Sequence, residues 1–74
     1  MSKLPIVSGM QIVKAFAKLG YLIDHQSGSH IILRHEKSPH RRLTIPNHNE
    51  ISKGTLRAII RQSGLTKEEF LELL

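Results

Sequence analysis

The chain has 74 residues and no cysteine, and its 11 Lys and Arg outweigh 6 Asp and Glu to give a formal net charge of +5. A single domain of this size buries only roughly 60% of its unfolded surface, which argues against a deep pocket for a large cofactor. Without thiols there are no disulfides or thiolate metal sites, and an intracellular, cytoplasmic chain is the simplest reading; the basic excess suits a polyanion, though solubility alone also explains it.

Met1-Ser2-Lys3-Leu4-Pro5 lacks the apolar stretch of a signal peptide. Ser8 followed by Gln11 forms a capping box, and Ile12, Val13, Phe16, Ala17 and Leu19 recur at helical spacing, which predicts a first helix over Gly9 to Leu19. Gly20 then offers a left-handed stop. Tyr21 to Gln26 reads as a strand, Ser27-Gly28-Ser29 as its turn, and His30 to His35 as a second strand. After a turn at Glu36 to Pro39, Arg41 to Ile45 makes a third strand that Pro46 ends, with Leu43 and Ile45 on one face and Arg42 and Thr44 on the other.

Ser52 can cap a second helix whose apolar stripe is Leu56, Ile59 and Ile60, with Arg57 and Arg61 on another face and Gly64 as its stop. Thr66 and Glu69 form a second capping box, opening a short C-terminal helix with Phe70, Leu71 and Leu74. The longest apolar runs, such as Ile31-Ile32-Leu33, fall far short of the ~20 residues of a membrane-spanning helix. The expected architecture is one α+β domain over residues 1–74, with three antiparallel strands, helices on one face of the sheet and the other face open to a long ligand.

Several of these pieces together carry a resemblance. Leu4-Pro5, Ser8-Gly9, Leu19-Gly20-Tyr21, Gly28-Ser29-His30, Ile45-Pro46, His48, Gly54-Thr55-Leu56 and Ser63-Gly64-Leu65, in this order and spacing, resemble the HicA-type toxins of bacterial and archaeal toxin–antitoxin pairs. The resemblance implies an α-β-β-β-α fold like that of double-stranded-RNA-binding domains, endoribonuclease cleavage of mRNA, and neutralisation by a HicB-type antitoxin. It also implies that His30 is the catalytic histidine.

RNA cleavage needs a base for the 2′-hydroxyl proton, cations for the phosphorane charge and a proton for the leaving oxygen; no metal or cofactor is required. Histidine, with an ordinary pKa of about 6.5, can take or give that proton near neutrality. Read from the residues alone, His30 is either such a proton carrier or a strand-start histidine bonded to its turn. His48 is either a second proton carrier or a solvated loop residue. Lys53-Gly54-Thr55 either grips a phosphate at a helix start or is an ordinary exposed helix end.

Arg34, His35, Lys37, His40, Arg41 and Arg42 surround one hairpin, as an RNA track or as charges protecting a sheet edge. Arg34 and Arg42 are carried forward as RNA-binding candidates. Ser29 either donates to a phosphate or fits the turn. Histidines 25, 30, 35 and 40 recur every fifth residue, yet an odd step along a continuous strand alternates faces, which argues against a shared metal. The aromatics, Phe16, Tyr21 and Phe70, are too few for a base-stacking platform. The competing functions are a non-catalytic RNA-binding module and a module for an acidic protein partner.

Overall fold

A computed structural model describes residues 4–74; the expectation about a signal peptide at residues 1–3 lies outside the described residues. Ser8 accepts from the Gln11 N–H while the Gln11 side chain accepts from the Ser8 N–H, and this capping box starts helix α1, Gly9–Ala17. The helix stops two residues earlier than its periodicity predicts. Leu19 and Gly20 donate to the carbonyls three residues back, at 2.9 and 3.1 Å, so the last turn tightens before Gly20 leaves at φ 99°.

Strands β1 (Tyr21–Ser27), β2 (His30–His35) and β3 (Arg42–Pro46) form an antiparallel sheet in the order β1-β2-β3. The first strand runs one residue past its predicted end, which leaves only Gly28 and Ser29 to link the hairpin. Gly28 has φ 58° and Ser29 does not have positive φ, the pattern of a tight two-residue turn that needs glycine first. The third strand is displaced by one residue: Arg41 lies before it, and Pro46 is its last member, paired with His30. β3 is an edge strand, where a residue without an N–H is tolerated.

Ser52 caps helix α2 (Lys53–Ser63), and Gly64 ends it at φ 82°. Thr66 and Glu69 open α3 (Lys67–Leu73) with the expected reciprocal bonds. The helices cover one face of the sheet. Ile31 and Leu33 of β2 and Leu43 and Ile45 of β3 point into that layer and are buried, against Ile12 and Phe16 of α1, Leu56 and Ile59 of α2 and Phe70 of α3. Alternate residues of the same strands face outward, which is the expected α-β-β-β-α layout with an additional short C-terminal helix. Among the described residues, no helix is long and apolar enough to cross a membrane.

All three aromatics belong to this core rather than to the open face. The Phe16 ring lies 5.4 Å from Tyr21 and 5.7 Å from Phe70, centre to centre, and both Phe rings are fully buried. A helix as short as α3 is marginal in water by itself, so Phe70 is its main attachment. Phe70→Ala should cost about 3–5 kcal/mol in urea unfolding; a loss below about 1 kcal/mol would show that α3 adds little to the core.

Candidate active site

His30 opens the central strand immediately after the two-residue turn, with Ser27 beside it on β1 and Pro46 on β3. Sheet parity turns it outward with Ile32 and Arg34, while Ile31 and Leu33 turn inward. Its side chain is exposed and makes no hydrogen bond among the described residues, so no bond to the turn holds the ring. A Cβ placed on Gly28 would meet nothing within 4 Å, which leaves the approach to His30 from the hairpin tip open.

The chain leaving β3 is tied to this same corner. The Asn47 N–H donates to the Ser29 carbonyl at 2.6 Å, the Gly9 N–H donates to the His48 carbonyl at 2.9 Å, and the Ile51 N–H donates to the Val7 carbonyl at 2.8 Å. The hairpin tip, the segment after β3 and the start of α1 therefore converge, placing Ser29, His30 and His48 in one neighbourhood. His48 is exposed and its ring, too, lacks a hydrogen bond among the described residues. Gly9 is indispensable to this arrangement, since a Cβ there would run into the Pro46 carbonyl oxygen.

From the corner the chain passes through buried Ile51 to the start of α2. The Ser52 hydroxyl accepts from the Thr55 N–H at 3.2 Å and donates to the Thr55 hydroxyl oxygen at 2.9 Å. Thr55 is thereby engaged in the cap, whereas Lys53 and Gly54 are exposed. A Cβ on Gly54 would touch nothing within 4 Å and its φ is not in the left-handed region, so neither packing nor backbone conformation demands glycine here.

The basic cluster divides in two. His35 donates from Nε2 to the Leu19 carbonyl at 2.7 Å and accepts the Lys37 N–H at Nδ1, binding the end of α1 to the sheet. His40, at φ 59°, donates from Nδ1 to the His35 carbonyl, and Arg41 donates to the Gln62 carbonyl at the end of α2. These three serve the fold. Arg34 and Arg42, by contrast, are direct neighbours across β2 and β3 on the outer face.

Asp24 and His25 share that outer face, which sequence reasoning did not anticipate. The pairing of β1 with β2 shifts between Ile23 and His25, a β-bulge that admits Asp24 as an extra residue. Leu22 faces outward opposite Arg34, and His25 faces outward opposite Ile32, so the alternation of β1 is broken between them, whereas along β2 it holds, with His30 outward and His35 inward. The Asp24 carboxylate accepts from His25 Nδ1 at 2.8 Å. This bond holds the Asp24 carboxyl below its usual range, partial burial opposes the shift, and the charges of His25, Arg42 and Arg34 add to it. No group of three or more His, Cys, Asp or Glu suited to a metal ion occurs among the described residues.

The sequence model of the family described as the HicA toxin of bacterial toxin–antitoxin systems matches residues 9–65. The chain belongs to the HicA toxin family. The matched span starts at the first residue of α1 and takes in the whole sheet, the corner with His30 and His48, and α2. It ends before α3. No curated protein matches the chain. Membership in the HicA family makes the chain a toxin and implies an antitoxin as its partner.

Within this HicA domain the corner depends on the contact between Gly9 and the end of β3. Gly9→Ala should destabilise the fold by about 1–3 kcal/mol, the usual cost of forcing atoms into a closed space. Amide exchange at Gly9 and Asn47 should quicken more than in the centre of β2, and uniform loss of protection instead would show that the corner has no independent motion.

Proposed function

We propose that the chain is an endoribonuclease that cuts mRNA in the cytoplasm, with His30 as its general acid or base, and that a HicB-type antitoxin neutralises it. The observation that carries this reading is an imidazole carried by the paired backbone of the central strand, facing outward, with neither of its ring nitrogens engaged among the described residues. A base fixed at a sheet corner can meet a 2′-hydroxyl of a bulky polymer, and positioned proton transfer of this kind contributes typically 10²–10⁴-fold.

The rest of the surface suits the same ligand. Arg34 and Arg42 repel one another across adjacent strands, and a phosphate between them would relieve that repulsion. Lys53 brings a further charge to the start of α2, where unpaired N–H groups favour an anion, and bare Gly54 allows a backbone to come near. Ser29 lies next to His30 as a hydroxyl donor, although its carbonyl already serves Asn47. Thr55 acts through Ser52 in shaping that helix start. His48, in the same corner, is the sequence-based candidate for a second proton carrier. The antitoxin would inhibit by covering His30, so that complex formation and cleavage exclude each other.

A folded His30→Ala protein should lose about 10²-fold or more in cutting of a long unstructured mRNA in chelator, while still binding it. Normal cutting by the variant would exclude His30; RNA bound but cut by neither protein would favour a non-catalytic RNA-binding module, and no binding at low salt would favour an acidic protein partner. In the same assay His48→Ala should be slowed if His48 carries a proton, and an unchanged rate removes it.

Lys53→Glu should weaken RNA binding and reduce the slope of log affinity against log salt by roughly one contact's worth. A slope equal to that of the wild type would place Lys53 away from the RNA.

A further inference from the structure

The bulge in β1 assembles a second histidine site on the open sheet face. Asp24 is outward by its step from Leu22, and His25 is outward by its pairing with Ile32; in a regular strand one of these adjacent side chains would face inward. His30 pairs with Ser27 and lies two residues from Ile32, so His25 and His30 are diagonal neighbours on one face. Diagonal positions on paired strands are about 7–8 Å apart at Cα and less at Cβ, a spacing that lets two long rings flank one phosphate.

The two rings differ in how they are held. An ionised carboxylate can only accept a hydrogen bond, so Asp24 fixes the proton of His25 on Nδ1 and leaves Nε2 as the nitrogen that exchanges with a ligand. A histidine oriented at one nitrogen by a carboxylate and active at the other is the arrangement used wherever an imidazole must pass a proton in a fixed direction. His48 makes no such bond among the described residues, and its carbonyl rather than its ring is what the fold uses. Arg34 and Arg42 complete the face, close enough for their charges to act on the Asp24 carboxyl.

Building on the ribonuclease reading, we propose that His25, oriented by Asp24, is the general acid of the cleavage step and His30 its general base. The neutral His30 ring takes the proton of the 2′-hydroxyl as the 2′-oxygen forms its bond to phosphorus. The bond from phosphorus to the 5′-oxygen breaks, and that oxygen receives the Nε2 proton of the His25 imidazolium. The products are a 2′,3′-cyclic phosphate and a 5′-hydroxyl. One proton has moved onto His30 and one off His25, and exchange with water restores both. Arg34 and Arg42 face the charge that builds on the non-bridging oxygens.

A leaving group that needs no proton separates this role from a structural one. The full-length chain, free of antitoxin, would be assayed on an RNA oligonucleotide with an ordinary linkage and on one with a 5′-bridging sulfur. His25→Ala should slow the ordinary linkage by about 10²–10⁴-fold and the sulfur linkage by less than about tenfold, whereas His30→Ala should slow both. His25→Gln, which retains a donor towards Asp24, should behave as the alanine variant does and guards against a folding defect. Asp24→Asn should lower kcat on the ordinary linkage with KM unchanged. Equal slowing of both linkages by the His25 variants, no slowing of either, or rescue by sulfur in His48→Ala instead would overturn the assignment. Failure of the wild type to cut either substrate would overturn the ribonuclease reading and this role with it; a cutting wild type with indifferent His25 variants would remove this role alone.

Discussion

The carbonyl oxygen of Pro46 lies so close to the Cα of Gly9 that no side chain fits between them, and the geometry of the His30 corner follows from that approach. Because α1 begins against the end of β3, its first N–H can satisfy the His48 carbonyl. The segment after β3 is then held across the hairpin tip, with the Asn47 N–H on the Ser29 carbonyl. A helix start, an edge strand and a turn, none rigid by itself, thus fix one another through three backbone groups. They fix the backbone on either side of His30 and leave its ring free to meet solvent.

The two faces of the sheet divide the work. The inner one holds the apolar residues and all the aromatic surface; the outer one holds Arg34, Arg42, Asp24, His25 and His30, all at the water's edge. Arginines directly opposite on neighbouring strands do not help folding, and a single carboxylate only partly offsets them. Stability comes from one face, and the unfavourable charge arrangement tolerated on the other points to selection for a ligand. Family membership agrees, since a toxin must act on something other than itself.

Most of the architecture was legible because its signals are local. Ser8 with Gln11, Ser52 and Thr66 with Glu69 mark helix starts by bonds made within a few residues, and each forms as read. Strand alternation gave Leu43 and Ile45 against Arg42 and Thr44. The boundary errors arose where tertiary contact decides. Arg41 leaves β3 because its guanidinium reaches the end of α2, and Pro46 joins β3 because an edge strand has room for it. The placement of His30 at a strand start was readable from Gly28 and Ser29, but the return of the segment with Asn47 and His48 to that turn was not. That depends on hydrogen bonds between segments far apart in sequence. The basic hairpin likewise looked uniform until His35, His40 and Arg41 proved to hold backbone carbonyls.

The bulge at Asp24 makes strand length, as well as residue identity, a carrier of information. Loss of this one residue would restore regular pairing and leave Leu22, Ile23 and His25 on the faces they now occupy, while removing the carboxylate that holds His25 Nδ1. Comparison of relatives by matching letters would score such a change as a single gap. Physically it would take away a negative charge beside Arg34 and Arg42 and the bond that orients His25, and two family members could share every residue of the Gly28-Ser29-His30 turn yet hold the neighbouring imidazole quite differently.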